Sequence, residues 1–335
     1  MEAKRTALLL SIFILAGCHR AALPGEGGME VVFSVLGEDT RVSGTDGERA
    51  VDDWALLLYK DGRLIEAGTS NSGAAIRKRL TEGCYTAFAV VNPPASFVPT
   101  YYPELSTLMA TESALRDNAL GRLVMSGSQN ITVPVPDGEM QQICVDRLVC
   151  KAGIKKVSVK FTDPILASRP FVLKSIYLTN CYGKSRYGGD CDVADIVADT
   201  STWYNRMGFQ TDGDVDALLA ETGLDIPIMA DTPHMQEHAF YYYPNPLPDT
   251  LDSRSGTWSR RRTRLVLEAE IGGQIYYYTV TLPASQRNKT YLIEEAVIQK
   301  LGSRDPEKDE PGAINVIFRT ETDDWFPVYN VTENS

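Results

Sequence analysis

The stretch "RLVLEAEIGGQIYYYTVTL", residues 264–282, decides the fold class. Leu265, Leu267, Ala269 and Ile271 recur at every second position, as do Tyr276, Tyr278, Val280 and Leu282 beyond Gly272-Gly273. Period-2 alternation sets each apolar series on one face of a strand, and a Gly-Gly pair reaches the positive φ angles of a two-residue turn. The stretch reads as a β-hairpin. "KKVSVKF" (155–161) repeats the signal, with Val157, Val159 and Phe161 alternating with Lys156, Ser158 and Lys160. Similar runs predict strands at 30–36, 54–59, 84–91, 131–135, 171–179, 291–301 and 313–319. Helical patterning is scarce. "PELSTLMATESALRDNAL" (103–120) places Leu105, Leu108, Met109, Glu112 and Leu115 on one helical face, and "DGDVDALLAETG" (212–223) predicts a short helix ending near Gly223. The chain is expected to be all-β, a sandwich architecture with short helical insertions.

The chain has 335 residues, 43% of them hydrophobic, enough for real cores and for two domains. A boundary is expected near 146–153, where "VPVPDGEMQQ" closes one run of strands and "RLVCKAGIKKVSVKF" opens another. That gives domains at 29–147 and 148–335. With 33 Lys and Arg against 44 Asp and Glu, the net charge is −11. Nucleic acid is a poor partner for such a chain, because phosphate binding needs clustered cations.

At the front, Lys4 and Arg5 precede an apolar run from Ala7 to Gly17. The run is too short for a membrane-spanning helix, which needs about 20 residues, and fits the core of a secretory signal. Leu15-Ala16-Gly17-Cys18 resembles a bacterial lipobox. It implies a signal peptide at 1–17, a mature chain beginning at a diacylated Cys18, a tether at 18–28, and an outer-membrane lipoprotein held by acyl chains. An ordinary signal peptide with an incidental cysteine is the alternative. Beyond Cys18 lie Cys84, Cys144, Cys150, Cys181 and Cys191, with no CxxC pair to suggest zinc. Cys181 and Cys191 flank the Gly-rich "YGKSRYGGD" and are the candidate disulfide in a compartment that permits one.

Enzymatic chemistry finds no footing. His234 and His238 in "HMQEH" are four apart, but the order is not HExxH, and Pro233 and "FYYYPNP" argue against a helix there. No metal or cofactor is expected. "DGDVD" (212–216) lacks the Gly and Glu of a calcium loop. "SRRRTR" (259–264) reads as a solvated lead-in to a strand. The Tyr triplets at 241–243 and 276–278 suit half-buried strands, with stacking on sugars as the alternative.

Taken in order, "TRVSGTDGERAVDDWALLLYKDGRLIEAG", "GCYTAFAVVNPP", "GRLVMSG", "RLVCKAGIKKVSV", "FYYYPNPLPD…RRTRLVLEAEI", "YYYTVTLPASQRNKTYLIEEAVIQKLGSRDP" and "DDWFPVYNVTENS" resemble the fimbrillin-type subunits of Bacteroidales type V pili. The resemblance spans about residues 30–335. It implies two tandem transthyretin-like (Greek-key) β-sandwich domains and a structural subunit (stalk, tip or anchor) of a surface pilus serving adhesion. Subunits of this kind polymerise by donor-strand exchange, a form of β-augmentation. Implied partners are other pilus subunits, in a homo- or hetero-polymer, the outer membrane through the lipid, and a host or bacterial surface receptor. The removable first strand would be "EVVFSVLG", with Val31, Phe33 and Val35 on one face, cut free after Arg41 or Arg49 in the polar loop that follows. Two solvated arginines and a permanently paired first strand are the alternative. The donor candidate is 313–335, with Ile314, Val316 and Phe318 alternating and Trp325, Phe326, Val328 and Tyr329 as apolar pegs. A second reading is a monomeric, outer-membrane-anchored β-sandwich lipoprotein that binds glycans.

Overall fold

The computed structural model describes residues 28–36, 48, 50–136, 139–199, 202–204, 217–247 and 261–321. The chain is nearly all β. Its first half supplies β1 (Met29–Leu36), β2 (Trp54–Lys60), β3 (Arg63–Ser70), β4 (Ile76–Leu80), β5 (Gly83–Val91), β6 (Glu112–Ala114), β7 (Met125–Val133), β8 (Met140–Cys144) and β9 (Asp146–Arg147). The second half adds β10 (Cys150–Ile154), β11 (Val157–Val159), β12 (Phe171–Thr179), β13 (Cys181–Tyr182), β14 (Lys184–Arg186) and β15 (Trp203–Tyr204). It closes with β16 (Ala220–Ile228), β17 (His238–Tyr242), β18 (Arg264–Ile271), β19 (Gln274–Thr281), β20 (Thr290–Ile298) and β21 (Ile314–Glu321). No helix among the described residues is long and apolar enough to cross a membrane.

In the first half, an antiparallel sheet ordered β3-β2-β5-β7-β9 faces a small sheet ordered β4-β1-β8. Their inward side chains, among them Val31, Phe33, Trp54, Leu56, Leu58, Ala87, Ile131 and Ile143, form one buried cluster. In the second half, the antiparallel sheet β16-β12-β18-β19 faces a sheet in which β20 pairs with β21 on one side and with β10 and β11 on the other. The hairpin of β18 and β19 turns at Gly272-Gly273, both at positive φ, with Leu265, Leu267, Ala269, Ile271, Tyr278, Val280 and Leu282 buried.

The two halves are not separate cores. β2 is buried on both faces: Trp54, Leu56 and Leu58 enter the first cluster, while Ala55, Leu57 and Tyr59 join the second. That second cluster runs from Phe88 and Val90 through Leu108, Leu115 and Leu123 into the apolar residues of β10, β12 and β18. Near-continuous apolar strands are what burial on both faces requires, and "WALLLYK" is one.

Both helical expectations are corrected. In the first stretch the α-helix is confined to Leu105–Ala110, with a single 3-10 turn at Leu115–Asp117. Glu112–Ala114 then pairs with β14, and this long-range ladder overrides the local pattern while still burying Leu108 and Leu115. In the second stretch residues 217–219 are helical, and from Ala220 the chain is strand β16, paired with β12. β16 is an edge strand, which is why Pro227 is tolerated within it.

At one corner the two facing sheets of the first half nearly touch. A Cβ on Gly127 of β7 would stand 1.9 Å from the carbonyl oxygen of Cys144 at the end of β8, so only glycine fits. Gly127→Ala is expected to destabilise by about 3 kcal/mol or more, at or beyond the upper end for overpacking. Urea unfolding followed by tryptophan fluorescence measures it, and an unchanged midpoint would show that this corner relaxes freely.

Candidate assembly interface

β1 is the middle strand of its sheet, yet it is the first described strand of the chain, separated in sequence from both its partners. It runs antiparallel to β4, with Phe33 opposite Ile76 and Met29 opposite Leu80, and parallel to β8, with Val35 opposite Ile143. Alternation sends Val31 and Phe33 inward, both fully buried, while Met29 and Val35 pack at the margins of the same cluster. Burying Val31 and Phe33 contributes roughly 3–6 kcal/mol together. Outside, Glu30 pairs with Arg77 at 2.9 Å, but both are exposed, so the pair adds little. Lifting β1 out would bare the inner edges of β4 and β8 and an apolar trough lined by Ile76, Leu80, Ile143, Trp54 and Tyr85. Arg41 and Arg49 lie outside the described residues, as does Cys18.

β21 is the other end of the problem. It pairs with β20 along its length, from Ile298 opposite Ile314 to Thr290 opposite Glu321, and no further strand pairs with it among the described residues. Ile314 and Val316 are half-buried against the large cluster, while Ile317 is 57% and Phe318 37% exposed. It is an edge strand with modest apolar burial. Trp325, Phe326, Val328 and Tyr329 lie outside the described residues.

Between β1 and β2 the chain is pinned at Glu48, which is 3% exposed. Its Oε1 lies 3.0 Å from Lys151 Nζ on β10 and accepts a hydrogen bond from the Tyr241 hydroxyl on β17. Its carbonyl accepts from Arg147 Nε at 2.8 Å, and Arg147 in turn reaches Asn288 Oδ1 at 3.2 Å. Hydrogen bonding to Glu48 adds to burial in pushing the Tyr241 hydroxyl far above its usual range. This buried polar cluster joins the loop after β1 to the second pair of sheets. Nothing in the local sequence announces it, because its members are scattered from position 48 to 288.

Other residues singled out in the sequence fall as follows. Tyr241, Tyr242, Tyr243 and Tyr278 are buried, leaving only Tyr276 and Tyr277 half-exposed, a poor platform for stacking sugars. In "SRRRTR", Arg261 pairs with Glu307, and Arg264 lies 3.4 Å from Asp309. Both arginines are buried, so the expectation of a solvated lead-in is corrected: they fasten the 303–310 loop. The segment from Pro233 to Glu237 is not helical, but His234 and His238 still meet. "DGDVD" lies outside the described residues.

The expected Cys181–Cys191 bridge is not formed; both thiols are free. Cys181 and Tyr182 are neighbours on β13 and point to opposite sides. Cys181 enters the large cluster, while Cys191 packs with Tyr182, Ile196, Trp203 and Leu247 on the other side. Burial pushes the thiols of Cys150 up to about 12 and Cys191 up to about 11, and it raises Cys181 as well. Cys84 and Cys144 are exposed. Thiolate is the reactive form, so iodoacetamide at neutral pH should label Cys84 and Cys144 in the folded protein. Cys150, Cys181 and Cys191 should react only after denaturation, as read by peptide mass spectrometry. Failure of Cys181 and Cys191 to react in denaturant without reductant would mean that they are bridged after all.

Glu48→Ala leaves Lys151 buried without its closest carboxylate and is expected to cost about 3–5 kcal/mol. The double change Glu48→Leu with Lys151→Met should recover most of that in the same urea experiment. A loss under 1 kcal/mol in the single variant would remove the pin from this account.

Several solved structures share this arrangement. A candidate cell adhesion protein of Bacteroides eggerthii superimposes with a TM-score of 0.64 at 16% identity, over 88% of this chain and 95% of its own. A fimbrilin (FimA) of Porphyromonas gingivalis gives 0.57 at 14% identity, over 88% and 97%. The tip fimbrial protein Mfa3 of Porphyromonas gingivalis gives 0.52 at 13% identity, over 87% and 99%. No protein-family model matches the chain, and no curated protein matches it in sequence. At these identities the likeness is one of architecture, and the chain has the fold of the fimbrilin-type proteins.

Proposed function

We propose that this chain is a structural subunit of a cell-surface pilus, serving adhesion and assembled by donor-strand exchange. The observation that carries the reading is the placement of β1: the first described strand of the chain, central in its sheet, with Val31 and Phe33 filling a trough that its removal would open. The fold shared with FimA and Mfa3 supports it. In this reading the domains at 29–147 and 148–335 are tandem transthyretin-like sandwiches. Export follows the signal at 1–17, with lipid on Cys18 delivering the chain to the outer membrane. A cut after Arg41 or Arg49 frees β1 from its own subunit.

The donor is 313–335 of a neighbouring subunit. β21 lies at an edge of its sheet, and only Ile314 and Val316 of its described side chains pack on the core, so little apolar burial holds it in place. Main-chain pairing along β4 and β8 would supply affinity, and alternate apolar side chains the register.

The test is to recover the protein from the cell surface, read its N-terminus by mass spectrometry and resolve its polymers in detergent. A start at Val42 or Ala50, with a ladder of detergent-stable polymers abolished by deleting 322–335, is the expected result. That deletion should leave the thermal midpoint of the monomer within a few degrees, because every described strand is retained. A protein that starts at Cys18 and stays monomeric, whatever is removed from either end, would overturn the proposal.

A further inference from the structure

His234 and His238 suit a metal ion by spacing only on a helix, and this segment is not helical. The fold brings the two imidazoles together by another route. His234 is tied to β11 by two backbone hydrogen bonds: its N–H donates to the Val157 carbonyl at 2.9 Å, and its carbonyl accepts from the Val157 N–H at 3.0 Å. His238 opens β17 and pairs with Ile154 of β10. The Nε2 atoms of the two rings then stand 2.8 Å apart. Behind His238, its Nδ1 is 2.8 Å from Oε2 of Glu221, on β16 of the facing sheet.

This geometry sets the tautomers. A carboxylate only accepts, so Nδ1 of His238 carries the proton, and in the neutral ring Nε2 carries the lone pair. A carboxylate behind the ring is the arrangement that orients metal-ligating histidines and raises their basicity. The lone pair of His238 points at His234, whose Nε2–H donates to it in the metal-free pair. Neutral His234 can instead hold its proton on Nδ1, and both Nε2 atoms then offer lone pairs to the space between them. His238 is buried, and His234 is half-exposed, leaving one side of the pair open to water.

We propose that His234 and His238 bind a late first-row divalent metal ion, Zn²⁺, Ni²⁺ or Cu²⁺, through their Nε2 atoms, with Glu221 as the positioning residue. Imidazole suits these ions, whereas Mg²⁺ and Ca²⁺ take oxygen ligands. Zn–N bonds of about 2.0–2.1 Å to a tetrahedral ion put the two nitrogens about 3.3 Å apart. The rings meet end to end, with centroids 5.1 Å apart, so the pair must open by about half an ångström and both imidazoles must turn to aim their lone pairs at one point on the open side. Among the described residues no group of three ligating side chains gathers, so the protein supplies two ligands and water completes the shell. The ion would fasten the segment beside β11 to β17 and, through Glu221, to the opposite sheet.

The experiment is isothermal titration of the untagged protein with ZnCl2 and NiCl2 alone, with MgCl2 as control. One site per chain for Zn²⁺ and Ni²⁺, with no response to Mg²⁺, is expected. His238 is buried and its replacement endangers folding, so the half-exposed ligand is the one to change: His234→Gln should abolish the one-site isotherm with folding checked by circular dichroism. Glu221→Gln should keep one site and weaken it about 10–100-fold, the usual cost of losing a carboxylate behind a ligating histidine. No saturable Zn²⁺ or Ni²⁺ binding, or binding that survives His234→Gln unchanged, would overturn the proposal. Unchanged affinity in Glu221→Gln would overturn the role given to Glu221.

Discussion

The parallel ladder between β1 and β8, closed on the other side by β4, is the contact on which the first half of the molecule depends. Three backbone strands and the inward pair Val31 and Phe33 complete a sheet that would otherwise be two unconnected edges. The second half repeats the device: β10 lies between β17 and β20, antiparallel to the first and parallel to the second. The difference is topological. β10 is continuous with chain on both sides and cannot leave without unthreading the fold. β1 is the first of the described strands and is joined to the later ones through the segment leading to β2, so a single break there would convert it from an element into a ligand.

To release a central strand the protein would have to stay folded without it, and the burial pattern shows what would hold it. The five-stranded sheet of the first half is packed on both faces. If β1 departed, Ala55, Leu57, Tyr59, Phe88 and Val90 would still be held in the large cluster shared with the second half. Damage would be confined to the face lined by Trp54, Leu56 and Ile131. With a cut after Arg41 the Glu48, Lys151 and Tyr241 cluster works in the same direction, fixing the chain just ahead of β2 to the second pair of sheets, whereas a cut after Arg49 leaves Glu48 on the released side.

Much of this was legible in the sequence, for a physical reason. Period-2 alternation made 264–282 readable as the hairpin of β18 and β19, and 171–179 read as a strand, whereas its pairing with β18 was not readable. "WALLLYK" read as a strand, but its apolar continuity did not reveal that both its faces were spoken for. Long-range pairing decided the misread segments: Leu108 and Leu115 fit a helical stripe equally well, and only β14, some seventy residues on, pulls 112–114 into a ladder. The buried polar cluster at Glu48 and the meeting of His234 with His238 were illegible for the same reason. Each is assembled by strands that become neighbours only in the folded molecule. At the candidate interface, the inward face of β1 was readable from alternation, whereas its two partners, β4 and β8, were not.

The central claim is that the slot between β4 and β8 accepts a strand from either end of a chain. Hydrogen exchange measures it directly, on the protein cut between β1 and β2 and stripped of β1, with and without a synthetic peptide of residues 313–335. The account predicts that amides of Ile76–Leu80 and Met140–Cys144 lose protection when β1 is removed and regain it when the peptide is added. Protection that persists without β1, or that the peptide fails to restore, would contradict it.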